Sequence, residues 1–257
     1  MANPRMNKLL ALLPQHDLEV LLPCIHLVSL SARDILAESG IPSHKIYFPI
    51  NALVAHARDM RDGLVIDTAL VGAEGMLGCG GLVGVPFHRL YVAASGLAYR
   101  MDLEQLIVAK HSHPQIADMC MQGVQHIGRK ISIELACSHF HPLLQRVARW
   151  VLARYDHCGH ASLHVTHQAI ADSLGVRREA VTLALGKLSG CNVSRGHLEI
   201  TDRALLESEC CECYHQLKAI NPNQLQLPPL PARPPSRNQT AAAPARRPAH
   251  HHVRDSA

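Results

Sequence analysis

The stretch "ADSLGVRREAVTLALGKL", from Ala171 to Leu188, carries the clearest structural pattern in the C-terminal half of the chain. Apolar residues recur every three or four positions on both sides of Gly175, which indicates two helices that meet at this glycine. Glycine adopts a positive φ without steric cost, so a tight turn between two closely packed helices favours it. The pattern therefore predicts a helix-turn-helix.

The residues around the turn supply the contacts that such a pair of helices needs. Ala171 is small where the second helix must cross the first, and Thr166 is placed to cap the first helix. The apolar contacts are expected from Ile170, Leu174, Val176, Val181 and Ala184.

The second helix begins with residue types that hydrogen-bond base edges and phosphates when a helix N-terminus enters a major groove. The residues expected to contact DNA are Thr166, Gln168, Arg177, Arg178, Glu179, Thr182, Lys187 and Arg195. Residues 177–195 carry four basic side chains and one acidic one. An ordinary helix pair with a solvated, charged end is the alternative; the agreement of so many positions favours DNA binding.

The segment "NVSRGHLEITD", which follows the motif, has alternating apolar residues on either side of Arg195-Gly196. This is the signature of a β-hairpin. A hairpin after a helix-turn-helix predicts a winged helix.

The N-terminal half shows the pattern of strands rather than of helices. Short apolar segments, "KIYFPINALVAHA", "LVIDTALVG" and "RLYVAASGLAYRM", are separated by turn signals, after one or two short entry helices around Pro14. This spacing predicts an antiparallel sandwich or roll.

Residues 111–139 then show apolar steps of three and four over many turns, which predicts one long helix with an apolar stripe. The stripe packs on the roll or pairs with its copy in a second chain, and the pattern alone does not choose. Pro142 starts a further helix, in which Trp150 is expected to be core.

The order of roll, long helix and "THQAIADSLGVRREAVTLAL…SRGHLEITDRALLE…CECY" resembles the Crp/Fnr superfamily of bacterial transcription regulators. The resemblance implies an α+β fold in four parts. These are a cyclic-nucleotide-binding-like β-roll with N-terminal helices (1–110), a dimerisation helix (111–139), a winged helix-turn-helix (140–218) and a disordered tail rich in Pro, Arg and His (221–257). The strand leading into the hairpin is shorter than in most family members.

The resemblance also implies a seam between two chains and an altered effector pocket. The seam residues are Ile116, Val124, Ile127, Ile131 and Leu135. Nucleotide-binding members carry a Glu and, after it, an Arg-Ser; here Gly78 and Cys79 stand in the first stretch, and Arg89 is followed by Leu90. A missing charged hydrogen bond costs roughly 1.5–3 kcal/mol, so cyclic AMP and cyclic GMP are not expected to bind.

Composition restricts the function further. The formal net charge of +4 comes entirely from residues 221–257, so any basic surface on the rest of the chain must be local. No apolar run approaches the ~20 residues of a membrane span, and a cytoplasmic location is expected. The chain shows no nucleophile elbow, P-loop, paired carboxylates or dinucleotide-binding turn, so an enzyme is not expected.

Nine scattered cysteines favour reduced thiols over a disulfide framework. Cys210, Cys211, Cys213 and His215 crowd one segment, but they lack a second ligand pair at metal-site spacing, which favours buried thiols. Only Cys24 lies in the first seventy residues, against the N-terminal iron–sulfur centre of related sensors. No metal or cofactor is expected.

The sequence therefore predicts a homodimeric, sequence-specific DNA-binding transcription regulator that does not respond to cyclic AMP. Double-stranded DNA and a second copy are the expected partners, RNA polymerase is a possible one, and a small-molecule effector is either absent or unidentified. The alternative is a ligand-binding or protein-interaction module whose helical domain binds DNA only weakly or no longer binds it.

Overall fold

The computed structural model describes residues 3–61, 63–82, 88–158, 162–194 and 196–220. Two sequence predictions, the disordered tail at 221–257 and the DNA contact of Arg195, lie outside these residues.

The N-terminal segment forms short helical turns around Pro14, as its leucine spacing predicts. Two 3-10 turns, Pro4–Met6 and Leu10–Leu12, precede helix α1 (Gln15–Leu21), and a third follows at Leu22–Cys24. Pro14 is the N-cap of α1, a position at which a missing backbone N–H costs no helical hydrogen bond.

Seven strands then form two antiparallel sheets. The strands are β1 (His26–Leu30), β2 (Ile35–Ala37), β3 (Lys45–Pro49), β4 (Leu53–Asp59), β5 (Val65–Val71), β6 (Arg89–Ala94) and β7 (Gly96–Asp102). One sheet has the order β1-β7-β3 and the other β2-β6-β4-β5. The predicted antiparallel roll is confirmed, with β1 and β2 in addition to the strands expected from the three apolar segments.

The rest of the described chain is mostly helical. The helices are α2 (Leu103–Ser112), α3 (Pro114–Phe140), α4 (Leu143–Cys158), α5 (His167–Leu174), α6 (Arg178–Leu185), α7 (Arg203–Ser208) and α8 (Cys213–Ala219). Three further strands, β8 (Ser162–His164), β9 (Cys191–Ser194) and β10 (His197–Ile200), form a sheet of order β8-β10-β9. The expected α+β class with a long helix and a C-terminal winged helix-turn-helix is confirmed.

Separate cores stabilise the N-terminal and C-terminal parts. The N-terminal helices, α2 and the start of α3 close one face of the roll around Phe48, Met76 and Ile116, all fully buried. The C-terminal core gathers around Val147, Trp150 and Ile170, which confirms that Trp150 is core.

Helix α3 packs so closely that a side chain at Gly123 would displace the Met76 side chain. A Cβ there would stand 2.7 Å from Sδ of Met76. Farther along α3, the Lys130 ammonium donates to the Leu70 carbonyl at 2.5 Å and pairs with Glu74. Desolvation alone would raise the pKa of the half-buried Glu74 carboxyl, but the Lys130 charge and the hydrogen bonds to this carboxyl outweigh it and hold the pKa well below its usual range, so this contact is ionic.

The cysteines that the structure describes are all free. Among the described helices, none combines the length and the apolar character needed to cross a bilayer.

Candidate DNA-binding surface

The helix-turn-helix has the local geometry that its sequence predicts. The Thr166 hydroxyl accepts a hydrogen bond from the backbone N–H of Ala169 at 3.1 Å and so caps α5. Gly175 ends α5 in the left-handed conformation, with φ of 65°. An L-residue in this conformation is strained by about 1–2 kcal/mol, which explains the glycine in the middle of an otherwise helical pattern.

The predicted apolar contacts hold the two helices together. Ile170, Ala171 and Val181 are fully buried, and Val176 is half-buried against the same core. Arg146 of α4 donates to the carbonyl of Leu174 at 2.8 Å and satisfies the end of α5. The sequence does not reveal this contact, because Arg146 lies far from the turn along the chain.

Behind this packed face, the N-terminal side of α6 is open to solvent, where Arg177, Arg178 and Glu179 are exposed. Lys187, which follows the C-terminal end of α6, is exposed as well. Leu183, which is 69% exposed, adds an unpartnered apolar side chain to the surface of the same helix. Charged side chains and one apolar group on a solvated helix match the chemistry of base edges and thymine methyls.

Two other predicted contact residues are engaged within the protein. The Thr182 hydroxyl donates to the carbonyl of Arg178 at 3.1 Å and lies 2.8 Å from Nδ1 of His167. The Gln168 side-chain amide donates to Asp172 at 2.6 Å. Thr182 therefore orients α6 on the first turn of α5 through His167, a role that sequence reasoning missed.

The wing is a short hairpin. Strands β9 and β10 pair with His197 opposite Ser194, and Gly196 takes a φ of 83° in the turn. The predicted hairpin is confirmed, and β8 adds a third strand, which is only three residues long and leaves no clear pattern in the sequence.

The helix-turn-helix also packs on the roll. A Cβ at Gly175 would stand 3.2 Å from Cδ1 of Ile66 in β5. Next to it, the Trp150 indole donates to Ser173 at 2.8 Å, and the Ser173 hydroxyl donates to the Asp67 carboxylate.

Asp67 is the centre of this contact between the roll and the helical part. The Tyr91 hydroxyl donates to its second oxygen at 2.6 Å, and Arg154 approaches it at 3.5 Å. Arg154 also lies 3.4 Å above the Trp150 ring, in cation–π geometry. A buried polar network therefore links β5 and β6 to α4 and α5.

The residues of the expected effector pocket each have contacts of their own within the protein. Cys79 is buried in the N-terminal core, where desolvation raises the pKa of its thiol to about 12. Arg89 pairs instead with Asp59 at 3.2 Å. It lines a cleft of about 290 Å³ between the roll and α5, shared with Arg33 and Asp172. Gly78 approaches the backbone of Lys45, where a Cβ would stand 2.1 Å from the carbonyl oxygen.

The stripe on α3 differs from the sequence prediction in its membership. Ile116 is fully buried in the N-terminal core, so it is not available to a second chain, and Ile127 packs partly against the roll. The outward face carries Met121, Val124, Gly128 and Leu135, which are exposed, and Ile131, which is half-buried. These positions, which we call the α3 stripe, alternate in steps of three and four, the spacing of a coiled-coil seam.

Comparison with known proteins agrees with this geometry. The sequence profile of the Crp-like helix-turn-helix domain matches residues 145–209. No curated protein sequence matches the chain.

Solved structures match over most of the chain. A protein from Eubacterium rectale assigned to the Crp/Fnr family of transcriptional regulators gives a TM-score of 0.67 at 16% identity, over 80% of this chain and 98% of that one. FixK2 from Bradyrhizobium japonicum gives 0.60 at 15% identity, over 73% and 98%. The c-di-GMP-responsive global regulator CLP of Xanthomonas campestris gives 0.58 at 16% identity, over 73% and 99%. At these identities, the structures establish a shared fold.

Proposed function

The chain has the fold of Crp/Fnr transcription regulators and carries a Crp-like helix-turn-helix domain, and from this premise we propose that it is a homodimer that binds specific DNA sequences and regulates transcription. The observation that carries the proposal is the exposed N-terminal half of α6. It presents Arg177, Arg178 and Glu179 to solvent on a helix whose opposite face is anchored in a core.

We expect α6 to enter the major groove as the recognition helix. Arg178 is then placed to fork onto a guanine, and Glu179 to accept a hydrogen bond from a cytosine amine. Leu183 can offer only apolar contact, which suits a thymine methyl. Lys187 lies just beyond the helix and is expected to contact phosphate.

The α3 stripe supports the homodimer. Met121 is 69% exposed and Leu135 60%, which is unusual for apolar side chains aligned on one helix face. A two-fold pairing of α3 with its copy covers them and sets two recognition helices about one DNA turn apart, ~34 Å.

Cyclic AMP is not the expected effector. Arg89 already has a carboxylate partner in Asp59, and Cys79 offers a buried thiol where a ribose hydroxyl needs a carboxylate. A nucleotide would have to break the first pair and leave its hydroxyl unmatched.

The proposal is tested with the purified full chain and sheared genomic DNA, by recovering and sequencing the bound fragments. We expect a shared motif with two half-sites related by two-fold symmetry. Cyclic AMP at millimolar concentration should leave the enrichment unchanged.

Binding without any enriched motif would contradict sequence-specific regulation. No binding even at low salt would favour the ligand-binding or protein-interaction module instead. Enrichment that requires cyclic AMP would overturn the prediction about the effector.

A further inference from the structure

A cluster of thiols and one imidazole lies where the end of α3 meets the start of α8. Cys137 is in the last turn of α3, His141 directly follows that helix, and Cys211 and Cys213 flank the beginning of α8. Their four side-chain ligand atoms all lie within 4.8 Å of one another. The three cysteines are buried and His141 is half-buried.

Two distances between these atoms match those between ligands of a single ion. The sulfurs of Cys137 and Cys211 are 3.5 Å apart, and the Cys213 sulfur is 3.6 Å from Nδ1 of His141. Zn–S bonds of ~2.3 Å and Zn–N bonds of ~2.0 Å in a tetrahedron separate the ligand atoms by roughly 3.5–3.8 Å. A disulfide needs ~2.05 Å between sulfurs, so Cys137 and Cys211 are not bonded to each other.

The surroundings of His141 fit metal ligation. Its Nδ1 faces the cysteines, and its Nε2 lies 3.1 Å from a carboxylate oxygen of Glu212. Metal-binding histidines commonly donate their second ring N–H to a carboxylate, which fixes the tautomer and the ring orientation. Buried thiols alone have no need of such an imidazole.

Hydrophobic packing explains little of why the three cysteines lie together. The three cysteines form a small core of their own, with Ile133 as the partly buried neighbour. Thiols are weak hydrogen-bond donors and acceptors, so by themselves they hold α8 against α3 only weakly.

We propose that Cys137, His141, Cys211 and Cys213 bind one zinc ion in a closed structural site that fastens α8 to the end of α3. Three thiolates and one imidazole are a common ligand set of structural zinc, and four protein ligands leave no position open for catalysis. An iron–sulfur cluster does not fit as well, because it places several iron and sulfide atoms between its cysteines. This proposal replaces the expectation of buried thiols without a metal, which rested on Cys210, Cys211, Cys213 and His215.

The test measures the metal content of the untagged full chain, purified under reducing conditions. The natural run His250–His252 can bind stray metal, so both wild type and variants are measured after washing with a weak chelator. We expect about one zinc per wild-type chain and close to none in the Cys211→Ser/Cys213→Ser variant. Cys210→Ser is the matched control, since Cys210 adjoins the cluster but lies outside the ligand set; it should retain zinc.

A second measurement does not depend on a variant that folds. Wild type stripped with a strong chelator and loaded with Co²⁺ should show thiolate-to-cobalt charge-transfer absorption. Added zinc should displace the cobalt and abolish this absorption, and the zinc-loaded protein should melt at a higher temperature than the metal-free protein. The proposal is overturned by a reduced wild type that takes up neither ion. It is equally overturned by stoichiometric iron and sulfide, or by full zinc retention in the double variant.

Discussion

Arg178 and Lys187 are both exposed basic residues of the same motif, but their positions predict different effects on DNA binding. Arg178 lies in the first turn of α6, whereas Lys187 follows its end. If Arg178 forks onto a guanine, Arg178→Ala should cost roughly 1–3 kcal/mol and flatten the preference at one base pair. Lys187→Ala should weaken all sequences alike and reduce the salt slope by about one unit.

Selection from random oligonucleotides, combined with titrations at several salt concentrations, checks both expectations. Lys187→Ala is the control for Arg178→Ala, because it removes one positive charge without removing a base contact. If Arg178→Ala selects the wild-type motif with undiminished information at every position, Arg178 does not contact a base.

At this scale, sequence reasoning succeeds where the cause is local. Thr166 and Gly175 act through their own backbone and the next few residues, so their roles follow from type and spacing. The cysteine cluster is the opposite case, because its ligands come from segments about 70 residues apart. A C-x-x-x-H spacing at 137–141 and a C-x-C at 211–213 are visible in the sequence, but only the fold brings them together.

The apolar periodicity of α3 predicts some features of this helix and leaves others undetermined. Steps of three and four predict the helix and an apolar side, but its apolar residues fall on two faces. One face, with Ile116, is used by the chain's own core, and the other carries the α3 stripe. Which residue belongs to which face depends on where the roll lies, and this is not encoded in the spacing.

The α3 stripe gives a prediction about assembly. Leu135→Glu should convert a dimer into monomers, because it places two charges in a seam that must be dry. Burial of a leucine contributes ~1.5–3 kcal/mol, and each dimer contains two, so dimer affinity should fall by at least about 100-fold.

Light scattering over a range of protein concentrations measures the change. Val108→Glu is the matched control, since Val108 is 69% exposed on α2 and lies outside the α3 stripe; this variant should remain a dimer. A wild type that is monomeric at micromolar concentration would contradict the proposed homodimer. A Leu135→Glu variant that remains dimeric would show that the dimer interface lies outside the α3 stripe.

The contact between the roll and the helical part belongs to the whole molecule. Asp67→Ala removes the acceptor of Tyr91 and Ser173 and leaves the Arg154 charge buried without its carboxylate. Removal of one member of a buried ion pair typically costs ~3–5 kcal/mol, and we expect a loss of this size in the free energy of unfolding.

Urea unfolding of a double variant separates the charge from the packing. In Asp67→Ala/Arg154→Met this network no longer contains a buried charge, so much of the lost stability should return. A double variant as unstable as Asp67→Ala would show that the cost arises elsewhere. The sequence does not predict this network, because β5, β6, α4 and α5 contribute one or two polar side chains each.

Strand β5 contacts both α3, through Leu70, and the helix-turn-helix, through Ile66 and Asp67. We expect a bound molecule that displaces this strand relative to α3 to move the helix-turn-helix, and with it the recognition helix, relative to the seam. In the proposed dimer, two-fold symmetry repeats the displacement in the other copy. The distance between the two recognition helices therefore changes by twice the displacement of each helix along the line that joins them. Successive major grooves on one face of DNA are about one helical turn apart. Only the conformation of the roll that gives the recognition helices this spacing therefore allows both to bind at once.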